Sequence, residues 1–392
     1  MMKIFVLANT ILYKKAVSGG DIVAPQLMRH LRAKTRVYVI GNKLTQNIWR
    51  SLRVHATFFL YKNTFLDRYD SIVFAPMKYL VRTVKACSML ISKLKALEEG
   101  AIVYTSSDLF PDIIPAYIAR VRYPRSRWIA NIYYVNDPPF RREGNPFFAL
   151  FSFLSQQIGF FLIKKRADKI FVLRAAKEAV LRQGFPPAKL EITHTGIDIS
   201  TVKHIPYQKK RYDAIFIGSL TVARGAFELL NIWRLVVNTL PKATLAIIGG
   251  GDDAIIKNYS AQINKLNIRK NIFFIGFVPK QKDVFSYIKA SKICLSPRLE
   301  GGWDMPTLEA SALGVPVVSY QMGKKSIPFK KSLTVVPLYD QKAFAQATIE
   351  LITNNKKRNA LSNWAIREAE KYNWSNIAGK FEKVIYRLNA PL

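Results

Sequence analysis

Apolar residues in this chain fall in short uninterrupted runs, and helix-length amphipathic segments separate them. In the first half the runs cover 3–8, 36–40, 101–105, 128–134 and 169–173, with helical segments over 21–31, 77–97 and 111–119. The second half repeats the habit, with runs at 213–217, 244–248, 272–275, 293–296 and 316–319 and helical segments over 226–238 and 254–266. A strand that is apolar on both sides is covered on both faces, and strands each followed by a helix build a parallel sheet between two helical layers. The stretch 199–211, ISTVKHIPYQKKR, is polar, basic and broken by Pro206, which reads as a linker. The pattern therefore predicts an α/β protein of two doubly wound, Rossmann-like domains, 1–205 and 206–372, facing a central cleft. Ligands of such sheets bind outside the carboxyl ends of the strands. The closing segment, 373–392, opens on Asn373-Trp374-Ser375 with Ser375 as a candidate helix cap, and is expected to pack back on the N-terminal domain.

Composition narrows the class. Hydrophobic residues make up 49% and aromatics 12% of 392 residues, enough for packed cores and unlike a disordered chain. The apolar run from Ile4 to Leu12 is interrupted by Ala8-Asn9-Thr10, so it reads as a first buried strand and not as a signal peptide. Cys87 and Cys294 are the only cysteines; a reducing compartment without a disulfide framework follows, and no metal-ligand spacing is present. The net charge is +34 and both halves share it: 32 Lys and Arg against 13 Asp and Glu over 1–205, and 28 against 13 over 206–392. Such a charge suits membrane headgroups, nucleotide diphosphates or nucleic acid, and equally a solvated basic surface. The basic residues form no recognisable nucleic-acid-binding motif, so no specific nucleic-acid partner is expected.

Four turns carry candidate chemistry. Ser18-Gly19-Gly20-Asp21 follows the first strand, where glycines let the backbone approach a ligand and a helix N-terminus offers N–H groups to an anion; an ordinary capped turn reads the same. Gly218-Ser219-Leu220 and Arg224-Gly225 lie between a strand and a helix, so Arg224 could hold a phosphate or simply face solvent. Gly249-Gly250-Gly251-Asp252 reads as a flexible turn. The fourth is LEGGWDMPTLEASALGVPVV, from Leu299 to Val318, where Glu300 and Glu309 bracket a Gly-rich turn and the first turn of a helix that Gly314 ends. A carboxylate accepts two hydroxyl hydrogen bonds at once, which suits the diol of a ribose or hexose.

Together these segments resemble the retaining GT-B glycosyltransferases called family 4. The resemblance is strongest from about 213 to 372. Gly19-Gly20 matches the family's turn after the first strand, Thr195-Gly196-Ile197-Asp198 its turn before the linker, and NIFFIGFV, 271–278, the segment that cradles the nucleotide base. Gly218-Ser219-Leu220 stands where the family has Gly-Arg-Leu, Arg224-Gly225 where it has Lys-Gly, and the Glu300–Glu309 segment where it has two glutamates. The resemblance implies a nucleotide-sugar donor, UDP- or GDP-linked, held by the C-terminal domain without metal or other cofactor. A glycan or lipid-linked acceptor would be held by the N-terminal domain, and the anomeric configuration retained. It implies Arg224, Glu300 and Asp137 as catalytic candidates, and Gly20, Ser219, Phe277, Gly302, Trp303, Asp304, Met305, Thr307, Leu308 and Glu309 as donor-binding candidates. Three departures stand out. The two glutamates are nine apart where the family has eight, Ser219 replaces the Arg of Gly-Arg-Leu, and the strand end Tyr133-Tyr134-Val135-Asn136-Asp137 carries no His. A divergent, non-catalytic GT-B scaffold that binds anionic membrane or polyanion is the alternative reading.

Phe147 to Ile163, FFALFSFLSQQIGFFLI, carries no charge and runs into Lys164-Lys165-Arg166. It falls short of the roughly 20 apolar residues of a spanning helix. It reads as an interfacial helix, with Phe147, Phe148 and Phe151 entering lipid and Lys164, Lys165 and Arg166 meeting headgroups, or as a core helix. The first option predicts a protein peripheral on the cytoplasmic face of the membrane.

Overall fold

The computed structural model of the chain describes residues 2–11, 19–32, 35–68, 74–92, 101–141, 146–251, 253–299, 304–321 and 332–389. Two compact units form: Met1–Thr195 with Trp374–Leu392, and Gly196–Asn373.

The first unit alternates strands and helices: β1 (Met2–Leu7), α1 (Gly19–Arg29), β2 (Thr35–Gly41), α2 (Lys43–Ser51), β3 (Thr57–Leu60), α3 (Ala75–Ser92), β4 (Ile102–Thr105), α4 (Phe110–Arg122), β5 (Arg127–Ile132), α5 (Pro146–Arg166), β6 (Lys169–Leu173), α6 (Lys177–Arg182) and β7 (Leu190–Thr193). The strands make one parallel sheet in the order β3-β2-β1-β4-β5-β6-β7. All four residues of β4 are buried. Tyr104 belongs to the core on one face, with Ile4 and Phe171, and Val103 to the core on the other, with Phe5 and Trp128. That is why the strand reads as an unbroken apolar run.

The second unit comprises α7 (Ile199–Lys203), β8 (Tyr212–Ile217), α8 (Ala226–Thr239), β9 (Leu245–Ile248), α9 (Asp253–Lys265), β10 (Ile272–Gly276), α10 (Gln281–Lys289), β11 (Ser291–Ser296), α11 (Met305–Ala312), β12 (Val317–Tyr320), β13 (Leu333–Val336), α12 (Gln341–Thr353) and α13 (Asn355–Glu370). Its six-stranded parallel sheet has the order β10-β9-β8-β11-β12-β13. Strand order reverses between β8 and β11, the place where open α/β sheets leave a crevice at their carboxyl ends. Gly314 ends α11 as the sequence suggests. Its φ is +70°, its N–H reaches the Ser311 carbonyl at 3.0 Å, and the Val315 N–H reaches the Ala310 carbonyl at 2.8 Å, the paired bonds of a Schellman motif.

The last helix, α14 (Trp374–Asn389), belongs to the first unit. Trp374 is buried there, and the Phe381 ring lies 5.3 Å from Tyr104 and 5.1 Å from Phe171. Part of the expected linker is not one: Ile199, Val202 and Ile205 are buried in the second unit's core. Their apolar side chains recur at helical spacing inside an otherwise polar stretch, and burial of that face outweighs the polar composition. The run expected over 128–134 also ends early, at Ile132.

Candidate active site

In the second unit, two loops leave adjacent strand ends at the point of reversal. The loop after β8 reaches α8 through Arg224 and Gly225, and the loop after β11 reaches α11 through Pro297 and Arg298. Gly225 has φ +70°, and a Cβ there would lie 1.7 Å from the Pro297 carbonyl oxygen, so only glycine permits the approach. The Leu299 N–H donates to the Ala223 carbonyl at 3.1 Å. The loops are thereby held together, and both present arginine to Asp304. Arg298 Nη1 lies 3.3 Å from Asp304 Oδ1, and Arg224 Nη1 3.9 Å from the same oxygen. The other oxygen, Oδ2, accepts from Ser296 Oγ at 2.7 Å and from Thr307 Oγ1.

Asp304 precedes the first residue of α11, yet its carboxylate makes no capping bond to the backbone. It is occupied instead by two cations and two hydroxyls. Pro306, in the first turn, has no N–H to satisfy. The Arg298 side chain is 13% exposed and the Arg224 side chain 41% exposed, so Arg298 is the fixed charge and Arg224 the one that can turn toward a ligand.

Glu309 lies in the body of α11. Burial first, then the charge of Asp304, push its carboxyl up to about 8, against the hydrogen bond that Gln281 Nε2 donates to Oε1 at 2.8 Å. Gln281 starts α10, so Glu309 ties α11 to the helix that follows β10. Phe277, just past the end of β10, is 67% exposed, and Ser219 is exposed in the loop after β8. Met305 is partly buried against the core. Leu308 corrects its expected role: its side chain is wholly buried in the core and its N–H bonds to the Asp304 carbonyl at 3.2 Å, so it has no group to offer a donor. Glu300, Gly302 and Trp303 lie outside the described residues.

In the first unit, Gly20 is in the opening turn of α1, and Asp137 is exposed on the segment after β5. The carboxyl ends of β1 and β4 hold something sequence reasoning missed, a buried polar network. Asp112 accepts from the Asn9 N–H at 2.8 Å, Asn9 Nδ2 at 2.9 Å, Ser106 Oγ at 3.0 Å and Ser107 Oγ at 2.8 Å. Asp108 accepts from Gln156 Nε2 at 2.8 Å. Arg82 donates to the carbonyls of Asn9 and Ile11 and pairs with Asp67 at 2.7 Å. Burial pushes the Asp108 carboxyl up to about 7 and that of Asp112 up to about 6. Among the described residues no group of three His, Cys, Asp or Glu side chains could hold a metal ion.

On α5, Phe147 is 85% exposed, Phe148 partly buried, Lys165 and Arg166 exposed. Lys164 folds back, its ammonium 5.5 Å from the Phe185 ring and 3.1 Å from the Gln183 carbonyl. Phe151 corrects its expected role: its ring packs 5.7 Å from Tyr79 and 5.7 Å from Phe110. It lies on the flank of the helix that faces α3 and α4.

Comparison with known proteins agrees with this architecture. Residues 201–368 match the family model for glycosyl transferases group 1. An uncharacterized glycosyltransferase of Methanocaldococcus jannaschii is 24% identical over 62% of this chain and 60% of its own length. The poly(glycerol-phosphate) alpha-glucosyltransferase of Bacillus subtilis is 26% identical over 45% of this chain and 25% of its own length. The chain thus spans less than two thirds of the length of these relatives. Among solved structures, Anabaena HepE in complex with UDP-glucose superposes with a TM-score of 0.72 at 14% identity, covering 99% of this chain and 100% of that one. Sucrose-phosphate synthase from Thermosynechococcus elongatus superposes with a TM-score of 0.73 at 15% identity, covering 100% of both chains. The two-sheet architecture is the GT-B fold. Its second unit is similar to the glycosyl transferases group 1 over residues 201–368.

Proposed function

We propose that the protein is a glycosyltransferase that moves a sugar from a nucleotide-sugar donor to a glycan or lipid-linked acceptor, with retention of configuration. The observation that carries this reading is the convergence of Arg224 and Arg298 on one carboxylate at the start of α11, where strand order reverses. Two cations beside a helix N-terminus, Arg298 fixed and Arg224 able to turn, suit a departing diphosphate, whose growing negative charge they stabilise. Arg298 answers the gap at Ser219: the family's second cation is missing from the loop after β8, and this chain supplies one from the loop after β11.

Asp304 orients the arginines, and Ser296 and Thr307 hold it in turn. Glu309 is the candidate for the ribose diol, and Phe277 is an exposed ring for the base. UDP is the donor nucleotide we favour, since HepE was solved with UDP and UDP-glucose. With arginines carrying the diphosphate charge, transfer would need no metal. A non-catalytic scaffold is the less supported reading, because residues 201–368, which carry both arginines and Glu309, match the glycosyl transferases group 1 model. UDP and GDP added to the purified protein test this directly. One of them should raise the melting temperature in wild type and fail to do so in the Arg224→Ala, Arg298→Ala double variant. Equal behaviour of the two proteins would remove the diphosphate assignment.

A further inference from the structure

Three helices cover one face of the first unit's sheet, with α4 packed against both α3 and α5. Their inner sides supply Ala86, Leu90, Ile113, Ala116, Phe160 and Ile163 to the core. Their outer sides are also apolar. On α3 the exposed stripe is Met77, Leu80, Val84 and Ile91, with Val84 69% exposed. On α5 it is Phe147, Leu150, Leu154, Ile158 and Phe161, with Phe161 61% exposed. Ile118 and Val121 of α4 are exposed as well. Within each helix these positions recur every three or four residues, so each stripe points away from the sheet. A water-facing helical layer is normally polar, and a contiguous apolar face of this kind marks a docking surface.

The face has a charge signature. The only carboxylate in the three helices is Asp112, and it is buried. At the end of the α5 stripe, Lys165 stands 5.8 Å from the Phe161 ring, with Arg166 beside it. Apolar side chains bordered by cations, without anions, complement an anionic lipid surface. By length and composition the full helix, Pro146–Arg166, is long and apolar enough to cross a bilayer, unlike the shorter uncharged run within it, but its inner side is fixed to the unit. Asn136 N–H and Nδ2 bond to Gln156 and Ser152. A Cβ on Gly159 would lie 2.0 Å from the Asp108 carbonyl oxygen. The helix can therefore present one side to lipid while the other stays in the core.

We infer that the outer face of α3, α4 and α5 docks on the surface of a bilayer containing anionic lipid. The binding surface is wider than α5, because α3 contributes an apolar stripe of its own. This docking does not depend on the sugar-transfer reading, and its test needs no donor.

The full chain is sedimented with vesicles of equimolar phosphatidylcholine and phosphatidylglycerol, and with phosphatidylcholine vesicles alone. Strong binding to the first and weak binding to the second are expected. Leu80→Ser with Val84→Ser on α3, and Leu154→Ser with Phe161→Ser on α5, should each lower partitioning at least about tenfold, since each buried aliphatic or aromatic side chain is worth about that factor or more. These positions are exposed, so the melting temperature of the variants should match wild type, which separates lost docking from lost folding. Phe151→Ala should lower the melting temperature instead. Equal vesicle binding by wild type and the α3 variant would overturn the inference. So would absence of vesicle binding by a wild type that self-associates in solution while the α3 variant stays monomeric, since the face would then belong to a second copy of the chain.

Discussion

Gly225 meets Pro297 so closely that a single added carbon would lie 1.7 Å from the Pro297 carbonyl oxygen. This contact joins two loops that are distant in sequence and brings two arginines to one carboxylate. Gly225→Ala imposes both a left-handed backbone on a residue with a side chain and a clash with backbone, on the order of 1–3 kcal/mol. The expected result is a melting temperature several degrees lower and donor affinity reduced more than stability alone explains. Calorimetric unfolding and titration with nucleotide check it; a variant that binds nucleotide as wild type does shows that the loop contact is not what places the arginines.

The proposed function gives Arg298 the diphosphate charge that Ser219 lacks. Arg298→Ala should lower kcat/KM by about a hundredfold, the usual scale for removing one preorganised group that stabilises transition-state charge. Ser219→Arg, placed in that variant, should restore part of the loss, because the cation then comes from the loop after β8. Loss of activity in Ser219→Arg alone, without rescue of the double variant, counts against the exchange.

The ribose role proposed for Glu309 predicts pH-dependent donor binding. A carboxylate accepts both ribose hydroxyls only when ionised, and burial and Asp304 hold this carboxyl near 8. Below that pH, binding must remove a proton, so affinity should rise with pH, up to about tenfold per unit, and level off above pH 8. Glu309→Gln should bind more weakly and lose the pH slope. Isothermal titration at several pH values reads both, and a flat wild-type profile rules out the ribose role.

Asp108 is 7% exposed and its carboxyl is raised by burial. In the window between its unfolded value, near 4, and its folded value, near 7, the folded state binds more protons than the unfolded one, so stability falls as pH rises. Asp108→Asn keeps an acceptor for Gln156 and removes that penalty. It should match wild type near pH 4 and exceed it at pH 8 by on the order of 2–4 kcal/mol. Denaturant unfolding at the two pH values is the check; equal stability at pH 8 means that the carboxylate is solvated after all.

The sheets were legible because their inner strands are apolar on both sides: Ile102 to Thr105 and Leu245 to Ile248 are buried throughout. The edge strands were not. Thr57–Leu60 has no fully buried position, and Leu190–Thr193 and Leu333–Val336 are short and half covered, so neither pattern nor length marks them. At the site, the sequence picked out Arg224, Asp304 and Glu309 through neighbouring glycines and the helix start. Arg298 stayed hidden because its meaning lies in a partner reached across two loops. Asp108 and Asp112 stayed hidden for a related reason: an isolated acid reads as surface, and only folding brings Asn9, Ser106, Ser107 and Gln156 to them. Phe151 shows the limit of an unbroken apolar run, which has no periodicity to say which phenylalanines face inward.

The most direct test of the account is donor turnover. Purified protein is incubated with a panel of UDP- and GDP-sugars, and free nucleoside diphosphate is measured over time. The account predicts release from at least one donor, slowed strongly in Arg298→Ala and in Glu309→Gln while both variants stay folded. Folded wild-type protein that neither binds nor consumes any donor of the panel, or variants that turn over as fast as wild type, would contradict it.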